Sequence, residues 1–483
     1  MGDVPLPPLQ LPAKVENRFA ALPGAFYTRM AAEPLARAPR LIHANEQAAS
    51  LIGLDSGDLG DTRWLEVFSG RAPFPGGESL AMVYSGHQFG AWAGQLGDGR
   101  ALLIAQVRNP MGELWDVQLK GSGLTPYSRF GDGRAVMRST IREYLASEAM
   151  AALSIPSTRA MAVVETGEMV RREQAEPGAI LTRLARSHVR FGHFEHFHHA
   201  GQPESVRLLA DHVIQEYLPH FLGDYGGWFG EVVKRTARLI ALWQAVGFAH
   251  GVMNTDNMSI LGVTLDYGPF GFMDAYDPDF VCNHSDETGR YAFANQPGIG
   301  LWNLKALAVA LSSLMPSEVL VEKLNGYEGH FMQCYHHTMR AKLGLTRVEE
   351  GDKRLIGELL ALMAKARADY TQTFRGLSRP GGNWPSLFGE ERGQAREWLA
   401  RYLARMAREG DRSCAMDRIN PKYVLRNWVA ETAIRAAADR HDTDYLDRVL
   451  SLMQNPWGEH PEEVALSLPP PPQYCGLSVS CSS

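Results

Sequence analysis

The sequence predicts an α+β chain of two lobes, a β-rich lobe followed by a helical one, with an extension at each end. Two observations carry this reading. Within residues 81–200, short apolar runs such as ALLIAQV (101–107) and LWDVQLK (114–120) are bracketed by GDGR and GSG, the turn punctuation of strands. Within residues 201–465 the apolar residues recur at helical spacing instead, as in EVVKRTARLIALWQAVGFAHG (231–251) with Val232, Ile240, Trp243 and Val246. No repeat with a period of roughly 20–50 residues is visible, which disfavours a solenoid or propeller.

Taken in order, residues 1–80 are rich in Pro and Gly with short helical pieces and read as an N-terminal extension. Residues 81–200 form the β-rich lobe, to which MAVVET (161–166) and AILTRLA (179–185) add strands. One helix interrupts them at 134–153, with Val136, Ile141, Leu145, Ala149 and Ala152 on its apolar stripe and Pro156 ending it. Residues 201–465 supply further helices around 302–315, 318–343, 351–375, 390–409 and 428–453. Residues 466–483 read as a flexible Pro-rich tail carrying Cys475 and Cys481.

Composition excludes several classes. The 483 residues carry a net charge of −6, with 45% hydrophobic and 21% charged residues, so neither nucleic acid nor an anionic membrane is an expected partner. No apolar run reaches the roughly 18–20 residues that span a bilayer. The start, MGDVPLPPLQLPAK, lacks a basic segment followed by an apolar one, so a cytoplasmic protein is expected. Five widely spaced cysteines are not a disulfide framework.

Four segments bear chemistry. In QLGDGR, Gly97 and Gly99 let backbone approach a phosphate, and Arg100 adds a charged donor. Gly-Asp-Gly is also a common hairpin turn. Lys120 ends an apolar strand and needs a partner, which Glu143 on the 134–153 helix can supply. Glu148, five residues on, lies about 140° around that helix and cannot face the same lysine. In HGVMNTDNMSILGVTLDYG (250–268), Asn257, a short apolar strand pair and Asp266-Tyr-Gly resemble the Asn and Asp-Phe-Gly metal ligands of protein kinases. One amide oxygen, one carboxylate and phosphate oxygens suffice for Mg²⁺. The position of the kinase catalytic Asp is Val252 here, which leaves Asp256 as the nearby proton acceptor. Fourth, Arg183, Arg186 and Arg190 share one face if TRLARSHVR is helical, and can receive a triphosphate. His193, His196, His198 and His199 lack the companion Cys or carboxylate pattern of a zinc site.

With these strings in place, the sequence resembles the selenoprotein O (SelO/YdiU) family of protein adenylyltransferases, whose fold is protein-kinase-like. The similarity runs from YSGHQFGAWAGQLGDGRA through WDVQLKGSGLTPYSRFGDGRAVMRSTIREYL, HGVMNTDNMSI and LDYGPFGF to FMDAYDPDFVCNHSD and SCSS. The resemblance implies transfer of AMP from ATP to Ser, Thr or Tyr hydroxyls of proteins, with release of pyrophosphate and ATP inverted relative to kinases. It implies nucleotide contacts at Gly97, Gly99, Arg100, Lys120, Asp132, Gly133, Arg183, Arg190 and Asp266. Glu143 partners the lysine, Asp256 accepts the proton, and Asn257 and Asp266 hold Mg²⁺ or Mn²⁺. A monomer is expected. A thiol pair between Cys282 and Cys481 is a further expectation, because the tail can bring one cysteine to a loop that carries the other. The rival readings are a phosphotransferase using the same pocket and a silent nucleotide-binding scaffold.

Overall fold

The computed structural model describes residues 9, 11, 13–477 and 479, and its architecture is mixed α and β. The strands of the first part are β1 (Lys14–Val15), β2 (Tyr27–Arg29), β3 (Arg40–Ala44), β4 (Leu80–Met82), β5 (Ser85–Gln88), β6 (Ala91–Gln95), β7 (Ala101–Arg108), β8 (Leu114–Lys120), β9 (Ala135–Val136), β10 (Arg159–Arg171) and β11 (Ala175–Ala185). All except β5 and β6 join one antiparallel sheet in the order β2-β4-β7-β8-β11-β10-β3, with β1 on β7 and β9 on β11. β5 and β6 form a separate hairpin. Three strands of the sheet come from residues 14–44, inside the stretch read as an extension. Its Pro-rich composition hides them because their pairing partners lie far along the chain.

The sheet is covered on both faces, which is why β7 and β8 are buried along nearly their whole length. One face packs on α1 (Glu46–Ala49), α2 (Ser56–Gly60) and α3 (Thr62–Phe68), with Trp64 and Phe68 beside Leu102, Val117 and Ile180. The other packs on α4 (Met137–Ala152), through Ile141, Tyr144 and Leu145 against Val163, Ala179 and Leu181. Alternation along β11 therefore decides what Arg183 meets. It points with Ala179 and Leu181 toward α4.

The remaining chain is helical: α5 (Phe191–His199), α6 (Pro203–Tyr217), α7 (Tyr225–Val246), α8 (Gln296–Ala310), α9 (Ser317–Asn325), α10 (Tyr327–Lys342), α11 (Asp352–Ala366), α12 (Tyr370–Gly376), α13 (Arg392–Met406), α14 (Ser413–Asp417), α15 (Asn427–Arg440) and α16 (Thr443–Gln454). Helix α7 begins at an Asp224 cap, whose side chain accepts from the Gly227 N–H at 2.8 Å, and stops at Gly247 in the left-handed region. Immediately after it, β12 (Phe248–Ala249) and β13 (Gly271–Phe272) pair and bracket the 250–268 segment. The strand pair expected inside that segment is reduced to one bridge between Met258 and Thr264.

Three helices expected as single pieces are divided, at Gly326, Arg367 and His441, the last two in the left-handed region. TRLARSHVR is not helical either. Arg183 lies in β11 and Arg190 caps α5, so the side-by-side array of three arginines does not form. The C-terminal helices brace the sheet half, since α15 and α16 pack on α4. Residues from the expected tail lie against the body. Tyr474 packs on Trp428, and Val479 bridges to Asn283. Cys481, the expected partner of Cys282, lies outside the described residues.

Candidate active site

A cavity of about 750 Å³ opens between the β7–β8 end of the sheet and the 250–268 segment, and sequence-distant residues converge on it. Lys120, the last residue of β8, pairs opposite Ala101 of β7 and Leu181 of β11. Its ammonium contacts Glu143 on α4 and lies 3.7 Å from Asp266 Oδ1. Glu148 instead forms a two-pronged pair with Arg159, each contact at 2.7 Å, as the helical geometry requires. Burial lowers the Lys120 pKa, while the Glu143 charge opposes that fall.

Arg183 and Arg190 bind the same carboxylate from two directions. Arg183 Nη1 donates to Glu143 Oε1 at 3.0 Å and to Asp266 Oδ1 at 2.5 Å, while its Nε donates to Gln118 Oε1 at 2.6 Å. Arg190 Nη1 donates to the Asp256 carbonyl at 2.6 Å and to Asp266 Oδ2, and its guanidinium lies over the Tyr84 ring. Burial by itself would raise the pKa of Asp266, but Arg190, Arg183 and Lys120 hold it well below the ordinary carboxylate range. The balance is opposed in Glu143 as well, where burial raises the pKa and Lys120 and Arg183 lower it further. Asp266 also has φ of 53°, a conformation that non-glycine residues adopt mainly where surroundings enforce it. Arg186 is absent from this cluster. Its guanidinium donates to Glu113 Oε1 at 2.6 Å.

The glycine segment closes the cavity from the sheet side. Gly97 has φ of 139°, and a Cβ there would meet the Tyr127 ring at 2.5 Å. Asp98, between the two glycines, is buried and fixes the turn by accepting from the Met82 N–H at 3.1 Å and from Gln118 at 3.3 Å. Arg100 is exposed at the mouth. Asp132 is exposed there too and pairs with Arg172 at 2.7 Å, while Gly133 accepts from the Gly123 N–H at 3.1 Å.

Opposite the lysine, the β5–β6 hairpin grips the Asn254–Asp256 turn. The His87 N–H donates to Thr255 Oγ1 at 2.7 Å, Gln88 Nε2 donates to Asp256 Oδ2 at 3.1 Å, and the Phe89 N–H donates to Asn254 Oδ1 at 3.1 Å. The approach is so close that a Cβ on Gly86 would stand 2.9 Å from Thr255 Oγ1 and 3.1 Å from Asp256 Oδ1. Asp256 Oδ1 is buried and has no hydrogen-bond partner among the described residues. Burial raises its carboxyl pKa to about 6, against the pull of Gln88 and Arg190. Asn257 spends its amide N–H on the Val252 carbonyl at 3.0 Å, which turns its Oδ1 away from that bond. Asn257 and Asp266 thus offer two hard oxygen donors, and among the described residues no group of three or more His, Cys, Asp or Glu could hold a metal. Two such donors fit an Mg²⁺-type ion that takes its other ligands from phosphate and water.

The histidines of α5 have other partners. His193 Nδ1 accepts from the Arg190 N–H at 3.0 Å, His196 bonds Ser85 Oγ at 2.9 Å, and His199 packs on Trp92. Gln88 and Asp98 escape motif reading. Gln88 is an ordinary polar residue within a glycine-rich string, and only the hairpin fold aims it. Asp98 carried a signal, an acidic side chain held between two glycines next to an arginine.

Two buried arginines and the half-buried Lys120, set around two carboxylates beside a glycine turn and an Asn/Asp pair, form a charge arrangement suited to nucleotide phosphates. The family model "Protein adenylyltransferase SelO" matches residues 10–454, and the chain belongs to that family. It is 53% identical to the "Protein nucleotidyltransferase YdiU" of Bordetella avium over 97% of this chain and 98% of that one. Relatives of the same name in Pectobacterium atrosepticum and Myxococcus xanthus are 50% and 48% identical, covering 98% and 97% of this chain and 100% and 99% of their own. The chain is therefore a nucleotidyltransferase with ATP as substrate. No helix among the described residues is long and apolar enough to cross a membrane.

Proposed function

We propose that the chain moves AMP from ATP to Ser, Thr or Tyr hydroxyls of proteins in a kinase-like cleft between two lobes, releasing pyrophosphate. The observation that carries this reading is Asp256. One oxygen is held by Gln88 and the other is buried without a partner among the described residues, beside two buried arginines and the half-buried Lys120. A carboxylate so fixed suits a base that receives the proton of an attacking hydroxyl. Val252, which lines the same cavity, cannot do this.

Lys120, Arg183 and Arg190 neutralise the phosphate oxygens, with Arg100 at the mouth, and Glu143 holds Lys120 in place. Gly97, Gly99, Asp132 and Gly133 border the nucleotide. Asn257 and Asp266 hold Mg²⁺ or Mn²⁺, which when bound supplies further charge neutralisation at the phosphates. Asp256 takes the acceptor proton as the hydroxyl oxygen bonds to the α-phosphorus and the bond to the bridging oxygen of pyrophosphate breaks. The α-phosphate, rather than the γ-phosphate, therefore stands at Asp256.

The test uses ATP labelled at either position. Protein should take up α-label and no γ-label. Asp256→Ala should reduce transfer at least about a thousandfold with ATP affinity nearly unchanged, as for loss of a positioned base. Lys120→Ala should weaken ATP binding as well. Transfer of γ-label, or equal loss of binding and transfer in Asp256→Ala, would overturn the assignment.

A further inference from the structure

A second concavity, of about 440 Å³, shares no lining residue with the active-site cavity. It lies between α7, the linker that follows β11 and the turn at 261–263. Its apolar surface comes from Pro156, Leu239, Leu261 and Val263, and four cations, Arg186, Lys234, Arg235 and Arg238, meet it against one carboxylate, Glu231. This local excess of positive charge stands out in a chain whose net charge is −6.

The four cations are not equivalent. Arg235 is paired with Glu231 at 2.8 Å and Arg186 with Glu113 at 2.6 Å. Lys234 and Arg238 are exposed, and among the described residues neither has an ion pair or hydrogen bond. They are one helical turn apart on α7, about 6 Å along its axis. Phosphate recognition calls for donors converging on one point. Two cations spaced along a rim, with apolar surface beneath them, suit an extended segment in which carboxylates alternate with apolar side chains. The walls also have a telling place in the chain. Arg186 falls between Arg183 and Arg190, and Leu261–Val263 between Asn257 and Asp266, so the groove is built by the backs of the two segments that carry the active site.

We propose that this groove docks an acidic, apolar-spaced segment of the acceptor protein, outside the residues that receive AMP. The inference rests on the reading of the chain as a protein adenylyltransferase. The partner chemistry follows from charge complementarity, which steers association and sets register.

The experiment uses the full chain and a fluorescent peptide of alternating Glu and Leu that lacks Ser, Thr and Tyr, followed by anisotropy. The wild-type protein should bind it, more weakly as salt rises. Lys234→Glu with Arg238→Glu should weaken binding by about tenfold or more. A control with the same charge change elsewhere, Lys305→Glu with Lys353→Glu, should bind as wild type does. All three proteins should transfer α-label from ATP equally to an acceptor without an acidic segment, which tests the adenylyltransferase reading separately. Equal peptide affinity in all three proteins overturns the docking site. So does equal weakening by the control, or pyrophosphate binding that needs Lys234 and Arg238 while the peptide does not bind.

Discussion

At the scale of single residues, the decisive feature is the unequal treatment of the two oxygens of Asp256. Gln88 holds Oδ2 at 3.1 Å, and Oδ1, without a partner among the described residues, is the atom proposed to meet the incoming hydroxyl. Gln88→Met keeps the length and removes the donor, so kcat for AMP transfer should fall by about tenfold, the worth of one hydrogen bond to a charged group. The KM for ATP should stay within about twofold; a matching rise in KM would place Gln88 in nucleotide binding instead. Most of the cluster was legible in the sequence, because Lys120, Glu143, Asn257 and Asp266 sit in strings whose chemistry is hard to explain otherwise. Arg186 shows the limit. Its spacing from Arg183 and Arg190 suggested a shared face, and only the end of β11 reveals that the chain is extended there and sends it to Glu113.

At the scale of elements, helix α10 ends in a residue with no partner of opposite charge among the described residues. Lys342 is buried, its ammonium above the rings of Phe374 and Tyr370, and burial pushes its pKa down to about 7. The folded state then binds fewer protons than the unfolded state between about pH 7 and the ordinary lysine value. Stability should accordingly rise with pH through that window. Lys342→Met removes the titration, so it should stabilise the fold more at pH 6 than at pH 9, by about 2–3 kcal/mol in chemical denaturation. An equal effect at both values would show that the ammonium is not lowered. The elements themselves were legible where a stripe was long, as in α4 and α7. Breaks were not. Arg367 and His441 take left-handed backbone at helix ends without being glycine, and tertiary contacts decide that.

At the scale of the molecule, the start of α15 is tied through a buried arginine to the chain just after β13 and to the start of α12. Arg426, fully buried, pairs with Asp274 at 2.5 Å and Asp369 at 2.9 Å, and Arg142 of α4 reaches Asn427 at 2.7 Å. Arg426→Ala leaves two carboxylates without their cation and should cost about 3–5 kcal/mol of stability, seen as a lower denaturant midpoint. A loss below about 1 kcal/mol would mean that the helices dock by apolar packing alone. None of this was visible beforehand, since the residues after about 318 carry no chemical signature.

The sheet order has one more consequence. Its outermost strands, β2 and β3, are three and five residues long and come from the same early stretch of chain. Strand β10, which β3 covers, is thirteen residues long and is made only after the α4 helix. During synthesis the first forty or so residues must therefore wait, unpaired, until the middle of the sheet exists, and then close it at both sides like a clasp. What reads in the sequence as an N-terminal extension is the part that keeps long strands from meeting those of another molecule.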